Sequence, residues 1–191
     1  MATDVSICSN ALIMLGAAPI ASFTEATKSA QVASNLFPSL ARDFLRGHPW
    51  NTAMKRVQLA PQSAAPAFDW GASFLLPNDC LRVWEVKSGR YDAEHKIEGR
   101  TVLADVTGID LLYISNLPVD QWDPIMVTAM TYKMAGAMAY AITKSATLAD
   151  GWMAAAERKV REAKTVDGQE GTPDDFGDNP LMNSRLPSGG F

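Results

Sequence analysis

Apolar residues near the start of the chain recur at helical spacing, with Val5, Cys8, Leu12 and Leu15 on one face of a helix over residues 3–15. Thr3 is placed to cap it, Gly16 sits where helices commonly end, and Pro19 forbids continuation. A second stretch, 29–46, carries Ala33, Phe37, Leu40 and Phe44 along one side, and His48-Pro49-Trp50 closes it. Pro38 inside that stretch removes an N–H donor and crowds the preceding turn, which predicts a bend or a split. Beyond Trp50 the period shortens. Apolar runs at 57–60 and 74–76 lead into strand-like segments at 81–86, 96–103 and 110–115, parted by turn signals at Asn78-Asp79, Ser88-Gly89 and Thr107-Gly108. Helical spacing returns at Asp123-Pro124, an N-cap followed by proline at the first helical position. Met126, Met130, Met134 and Met138 follow at four-residue steps, with Ala129, Ala137 and Ala141 beside them. A last helix, 148–164, turns Trp152, Met153, Ala156, Val160 and Ala163 inward and sets Glu157 with Arg161 and Arg158 with Glu162 outside.

These elements predict a mainly α protein with a β-rich insertion: a helical bundle core, a small antiparallel β subdomain and an extended C-terminal arm. The expected divisions are N-terminal helices at 1–56, the insertion at 57–122, long helices at 123–166 and the arm at 167–191. Gly, Pro, Asp and Asn dominate the arm, so it has no core of its own to offset the entropy of ordering. Phe176, Leu181, Met182, Leu186 and Phe191 are nonetheless spaced along it like anchors, which leaves two readings, a dispensable tail or an arm that orders against a partner. The Met/Ala helix also has two readings. It is a core stripe, or a close-packed subunit surface in which small side chains admit a neighbour and Met adapts to it.

Composition narrows the function. The chain has 191 residues, 47% hydrophobic and 20% charged, enough to bury a core. Its 17 Lys and Arg against 21 Asp and Glu leave a net charge of -4, which disfavours sequence-independent DNA binding, since that draws on a basic excess. Two cysteines exclude a disulfide scaffold and fit a reducing compartment. Asp4 stands where a signal peptide would be basic. Residues 125–142 are long enough to span a membrane, but Lys133 at their centre and the Ala, Thr and Met around it predict a buried or interface helix.

Candidate chemistry is sparse. His48 and His95 are the only histidines, and no nucleophile elbow, P-loop, dinucleotide fingerprint or zinc-protease motif occurs. Cys8, Cys80, His48 and His95 lack the paired spacing of a zinc site, so no metal and no cofactor are expected. Asp92, Glu94, Glu98, Asp105 and Asp110 are the carboxylates an enzyme could use, but a glycosidase needs two of them across a cleft at a set separation.

One string is specific: Phe37-Pro38, Arg42-Asp43, Leu45-Arg46 and His48-Pro49-Trp50-Asn51, with Ala53. Upstream lie Ser6-Ile7-Cys8, Asn10-Ala11-Leu12, Leu15-Gly16-Ala17 and Pro19-Ile20. Downstream lie Leu76-Pro77-Asn78-Asp79-Cys80-Leu81-Arg82-Val83, Ile97-Glu98-Gly99-Arg100 and Tyr113-Ile114. In order from about residue 6 to about 167, the series resembles the tail tubular protein A family of short-tailed bacteriophages, the head-to-tail adaptors. Thr52 departs from the aromatic expected at its position.

The resemblance implies a non-enzymatic ring of about twelve copies between the portal protein and a tail nozzle protein like tail tubular protein B, with tail fibres or spikes nearby. Helices would form the wall and the β part would face the tail. Genomic DNA would pass through the lumen without specific binding, and the ring would belong to the virion at the head–tail junction, with no membrane. It implies a portal-binding arm carrying Phe176, Leu181, Met182, Arg185, Leu186 and Phe191. Arg42, Asp43, Trp50, Met130, Met134 and Met138 are then candidates for the subunit interface, with core packing the other reading of Trp50. Arg42 and Asp43, adjacent on a helix, point to different sides and can each bridge elsewhere. Exposed aromatics among Trp70, Trp84 and Trp122 would mark the tail side. The rival readings are a tail-associated cell-wall or polysaccharide hydrolase using acids such as Glu94 and Glu98, and a DNA-binding packaging component.

Overall fold

A computed structural model describes residues 2–170. In chain order it contains helices α1 (Asp4–Met14) and α2 (Lys28–Arg46), then strands β1 (Met54–Leu59), β2 (Ala72–Leu75), β3 (Cys80–Ser88), β4 (Tyr91–Asp92), β5 (His95–Glu98), β6 (Thr101–Ala104) and β7 (Ile109–Ser115), and finally helices α3 (Pro124–Thr143) and α4 (Ala146–Gln169).

Side-chain caps start all four helices. Thr3 and Ser6 exchange hydrogen bonds in a capping box, and Thr27, Asp123 and Ser145 accept from Ala30, Ile125 and Leu148 N–H groups. Pro38 neither splits α2 nor ends it. It lies on the exposed side, where water can replace the missing N–H donor.

α3 is the centre of the bundle and packs against α1, α2 and α4. Met126, Met130, Met134 and Met138 are fully buried with Ala129, Ala135 and Ala139. Steps of four residues advance about 40° more than a full turn, so the Met stripe winds round the helix instead of presenting one outward face. The core reading therefore holds for Met130, Met134 and Met138, and the subunit-surface reading is corrected. Trp50 is corrected in the same way, being fully buried in the bundle core.

The insertion forms two antiparallel sheets, of strand order β1-β7-β3-β4 and β2-β6-β5. The strand expected over 96–103 is a hairpin, with Glu98 opposite Thr101 and Gly99 at φ +58 leading the two-residue turn. The β3–β4 hairpin repeats the device, Ser88 facing Tyr91 around Gly89 at φ +64. Each Gly-Arg pair turns the chain because glycine accepts the positive φ that the first turn position needs.

β7 joins two cores. Ile114 packs into the bundle with Leu45, Trp50 and Met130, whereas Leu111 and Tyr113 pack with Phe74, Val86 and Val102 between the sheets. The β part thus runs from Met54 to Ser115, and Leu117, Val119 and Trp122, expected within the insertion, belong to the helical core.

α4 starts two residues earlier than expected and ends five later. It approaches α3 most closely at Gly136, where a Cβ would stand 3.3 Å from the Met153 Cα and N. Met153, expected inside, is 54% exposed. Glu157 pairs with Arg161 at 3.8 Å, but Glu162 pairs with Lys159 at 2.8 Å and not with Arg158. Among the described residues no helix is long and apolar enough to cross a membrane.

Candidate functional site

The residues after α2 form a clasp on the end of α4. Gly47 ends the helix and Pro49 turns the chain, so His48, Trp50 and Asn51 leave the turn in different directions. Trp50 goes into the core, its Nε1 donating to the Phe44 carbonyl at 3.1 Å and its ring 4.7 Å from that of Phe44. His48 and Asn51 reach Asp167. His48 Nε2 lies 3.1 Å from Asp167 Oδ2, the Asn51 N–H donates to Oδ1 at 3.0 Å, and Asn51 Nδ2 donates to the Asp167 carbonyl at 2.6 Å. Lys164 Nζ adds a contact of 3.4 Å to the Gly47 carbonyl.

Burial lowers the His48 pKa from the ordinary imidazole range, and the hydrogen bond and charge of Asp167 oppose this less strongly. At neutral pH the ring is therefore neutral and donates Nε2–H to the carboxylate. Asp167 was expected at the start of the arm. It lies instead in the last turn of α4, with its side chain buried.

A second joint holds 76–82, the segment that links the two sheets. Arg46, at the end of α2, donates to the Leu81 carbonyl, and Arg100, from the Gly99 turn, donates to the Leu76 and Pro77 carbonyls at 3.1 and 2.6 Å. Asp79 accepts from Lys55 Nζ at 2.7 Å and from the Tyr113 hydroxyl at 3.1 Å. The Lys55 contact, helped by Tyr113, holds the Asp79 carboxyl below the usual range. Desolvation and the Asp79 carboxylate push the Tyr113 phenol up to about 12. The two joints contain His48-Pro49-Trp50-Asn51, the 76–82 stretch and Arg100 of the strings that carried the resemblance, whereas those from Ser6 to Leu12 lie in α1, and Phe37-Pro38 and Arg42-Asp43 on α2.

The remaining candidates separate. Arg42 and Asp43 are exposed on α2, and no ion pair joins them among the described residues. Arg42 borders a groove of about 450 Å³ whose wall includes Asp4, Phe37, Leu117 and Trp122. Trp122 is buried, its Nε1 bonded to the Leu117 carbonyl at 2.9 Å, and Trp70 is half-buried. Trp84 is 42% exposed under the Arg82 guanidinium, 5.3 Å from its ring centre. Thr52 fills the place of the expected aromatic by donating to the Met126 sulfur at 3.3 Å. Phe176, Leu181, Met182, Arg185, Leu186 and Phe191 lie outside the described residues.

Of the acids considered for catalysis, Glu98 pairs with Lys96 at 2.7 Å, Asp105 accepts from the Gly71 N–H at 2.6 Å, and Asp110 accepts from Gln58 at 2.8 Å. Glu94 is exposed between β4 and β5. Desolvation pushes the buried Cys8 thiol up to about 12, with the Asp4 charge adding to it, which leaves little nucleophilic thiolate. No group of three His, Cys, Asp or Glu side chains suited to a metal ion occurs among the described residues.

The sequence reading missed Asp167 and a second groove. Asp167 had a signal, since it continues the inward positions of α4, four residues after the buried Ala163. The groove, of about 430 Å³, is lined by Leu40, Gly136, Ala137, Met153, Ala156 and Val160, with Lys133, Glu157 and Arg161 among its border residues. It had no signal, because three helices contribute to it. Comparison with models of known protein families and with curated proteins found no match to this chain.

Proposed function

We propose that this chain is a structural head-to-tail adaptor of a short-tailed bacteriophage, assembling as a ring of about twelve copies between the portal and the tail nozzle. The observation that carries the reading is the convergence of its motif residues. Arg46, His48, Asn51, Asp79 and Arg100 meet at two joints that clamp the β part and the end of α4 onto one bundle. Such bracing suits a wall element that must hold its outline while neighbours press on it. The clasp also fixes the last turn of α4, the element after which the sequence of the proposed portal-binding arm begins.

A ring needs two different surfaces that meet head to tail and close. With the Met stripe and Trp50 inside, the exposed Arg42 and Asp43 and the open grooves are the surfaces we assign to this role. The net charge of -4 suits a channel through which DNA slides, because a basic lumen would hold phosphates. The local partners of Glu98, Asp105 and Asp110 make the adaptor the better reading than the hydrolase.

Mixing the full chain with a portal protein of a short-tailed bacteriophage from the same genome tests the assignment by native mass measurement and imaging. A closed ring of about twelve copies seated on the portal is expected. Failure to bind the portal at micromolar concentration, or a peptidoglycan-degrading activity lost in Glu94→Gln and Glu98→Gln, would overturn it.

A further inference from the structure

We infer that the cradle between the 65–70 loop and the outer face of the β2-β6-β5 sheet binds a neutral pyranose ring of a glycan chain. Strand register builds its floor. Lys96 lies opposite Leu103 and Glu98 opposite Thr101, so these four share one face, while Val102 and Phe74 on the other face fill the β core. The loop before β2 roofs the outer face and encloses a cavity of about 380 Å³. Ligand sites begin at about 300 Å³, so the space suits a small ligand or one unit of a longer one.

Contacts at both ends hold the roof in place. The Gln62 N–H donates to the Ser73 carbonyl at 2.7 Å, and the Ser73 hydroxyl lies 3.2 Å from both Gln62 Oε1 and the Ala64 carbonyl. At the other end the Gly71 N–H donates to Asp105 at 2.6 Å. Between them the Trp70 N–H donates to the Phe68 carbonyl at 2.9 Å, across Asp69 at φ +68. This is the rarer and strained form of the γ-turn, adopted by a residue that carries a Cβ. Such strain gathers where a ligand is clamped. The turn sets Phe68, Asp69 and Trp70 along the cavity wall. Trp70 is half-buried and Phe68 is 76% exposed, so the two aromatics form an inner and an outer platform.

The lining selects the ligand. An aromatic face accepts the C–H side of a pyranose ring, and the hydroxyls at the ring's edge need donors and acceptors. Lys96 Nζ and Glu98 Oε1, 2.7 Å apart, offer one of each side by side, as neighbouring hydroxyls require. The hydrogen bond to Glu98 raises the Lys96 pKa, with the Glu98 and Asp69 charges adding to it, so the ammonium keeps its protons. Lys96 and Glu98 cancel in charge, and Asp69 leaves the lining with one acid in excess. That excess repels phosphate groups, and Lys96 repels a cationic ligand. A neutral polyol meets neither penalty. The inference does not rest on the adaptor reading.

Saturation-transfer NMR on the full chain tests it. The probes are trisaccharides of glucose, mannose and N-acetylglucosamine, their methyl glycosides, glucose 6-phosphate and choline. At least one trisaccharide should bind, at least tenfold more tightly than its methyl glycoside, because only the longer ligand spans both aromatics. Phe68→Ala should abolish that advantage, and Trp70→Ala and Glu98→Gln should each weaken binding at least fivefold. Phe68 and Glu98 are exposed, so their variants should keep the thermal midpoint of the parent chain. No transfer to any trisaccharide, equal affinity for the methyl glycoside, or preference for glucose 6-phosphate or choline would overturn the inference. Binding left unchanged by both Phe68→Ala and Glu98→Gln would do the same. Portal docking, measured separately, bears on the adaptor assignment alone.

Discussion

Asp167 shows how one side chain can organise a surface. Its carboxylate takes donors from His48 and Asn51, and its carbonyl takes the Asn51 amide. Truncation by Asp167→Ala leaves two partly buried N–H groups without acceptors, and a loss of about 2 kcal/mol is expected in urea unfolding. His48 adds a pH dependence whose sign follows from its environment. Its folded pKa lies below the unfolded value near 6.5, so the unfolded chain takes up the proton first as pH falls. The contribution is complete above about pH 6.5 and fades as pH drops from there toward the folded value. Chemical denaturation between pH 7.5 and 5.5 should show this slope, and His48→Gln, which can still donate to Asp167 but does not titrate, should flatten it. Trp50 was legible as a large anchor, but which surface it anchored was not, because the core it joins also takes in Ile114, Trp122 and Met130, more than sixty positions away.

At the level of elements, the caps were the most legible feature. Thr3 and Asp123-Pro124 start helices for local reasons, and local chemistry survives folding unchanged. The end of α4 was not legible, since Gly168 and the polar residues near it look like a stop until the clasp on Asp167 is seen to hold the last turn. The hairpin at Gly99 was missed because its two strands are only four residues each, so the Glu98-Gly99-Arg100-Thr101 turn sits in the middle of what reads as one eight-residue strand. Two substitutions test the elements. Gly136→Val forces a branched side chain against the Met153 backbone, 3.3 Å from the position of its Cβ, and should destabilise the α3–α4 pair by about 2 kcal/mol in thermal or denaturant melts. Lys144 ends α3 at φ 60, a conformation glycine adopts more readily. Lys144→Gly should therefore raise the melting temperature, by up to about 1 kcal/mol of stability.

Across the whole molecule, β7 makes two cores into one cooperative body. Neighbouring residues Tyr113 and Ile114 serve different cores, and Arg46 and Lys55 tie the same region to the joint at 76–82. Far-UV circular dichroism and tryptophan fluorescence should report a single coincident transition. Phe74→Ala, in the β core, should shift both signals together by about 3–5 kcal/mol. Separate midpoints would mean that β7 does not couple the cores. The clasp holds the last turn of α4. Cutting after Glu170 should leave the thermal midpoint of the remaining chain within a few degrees and, on the adaptor proposal, weaken portal docking, whereas a cut before Asp167 should unfold the last turn of α4 as well.

The sequence by itself determined the order of the elements, the alternation of helical and strand periods, the starts of the helices and the turn at Ser88-Gly89. All of these depend on interactions between residues within a few positions of one another. Tertiary structure decided which of the apolar faces lie inside the chain, that α4 runs on to Gln169, and that Arg46, His48, Asn51, Asp79 and Arg100 gather at two joints. It decided these because periodicity can mark a position such as Asp167 as inward but cannot name its partner, and His48, more than a hundred positions away, is found only when the chain is folded.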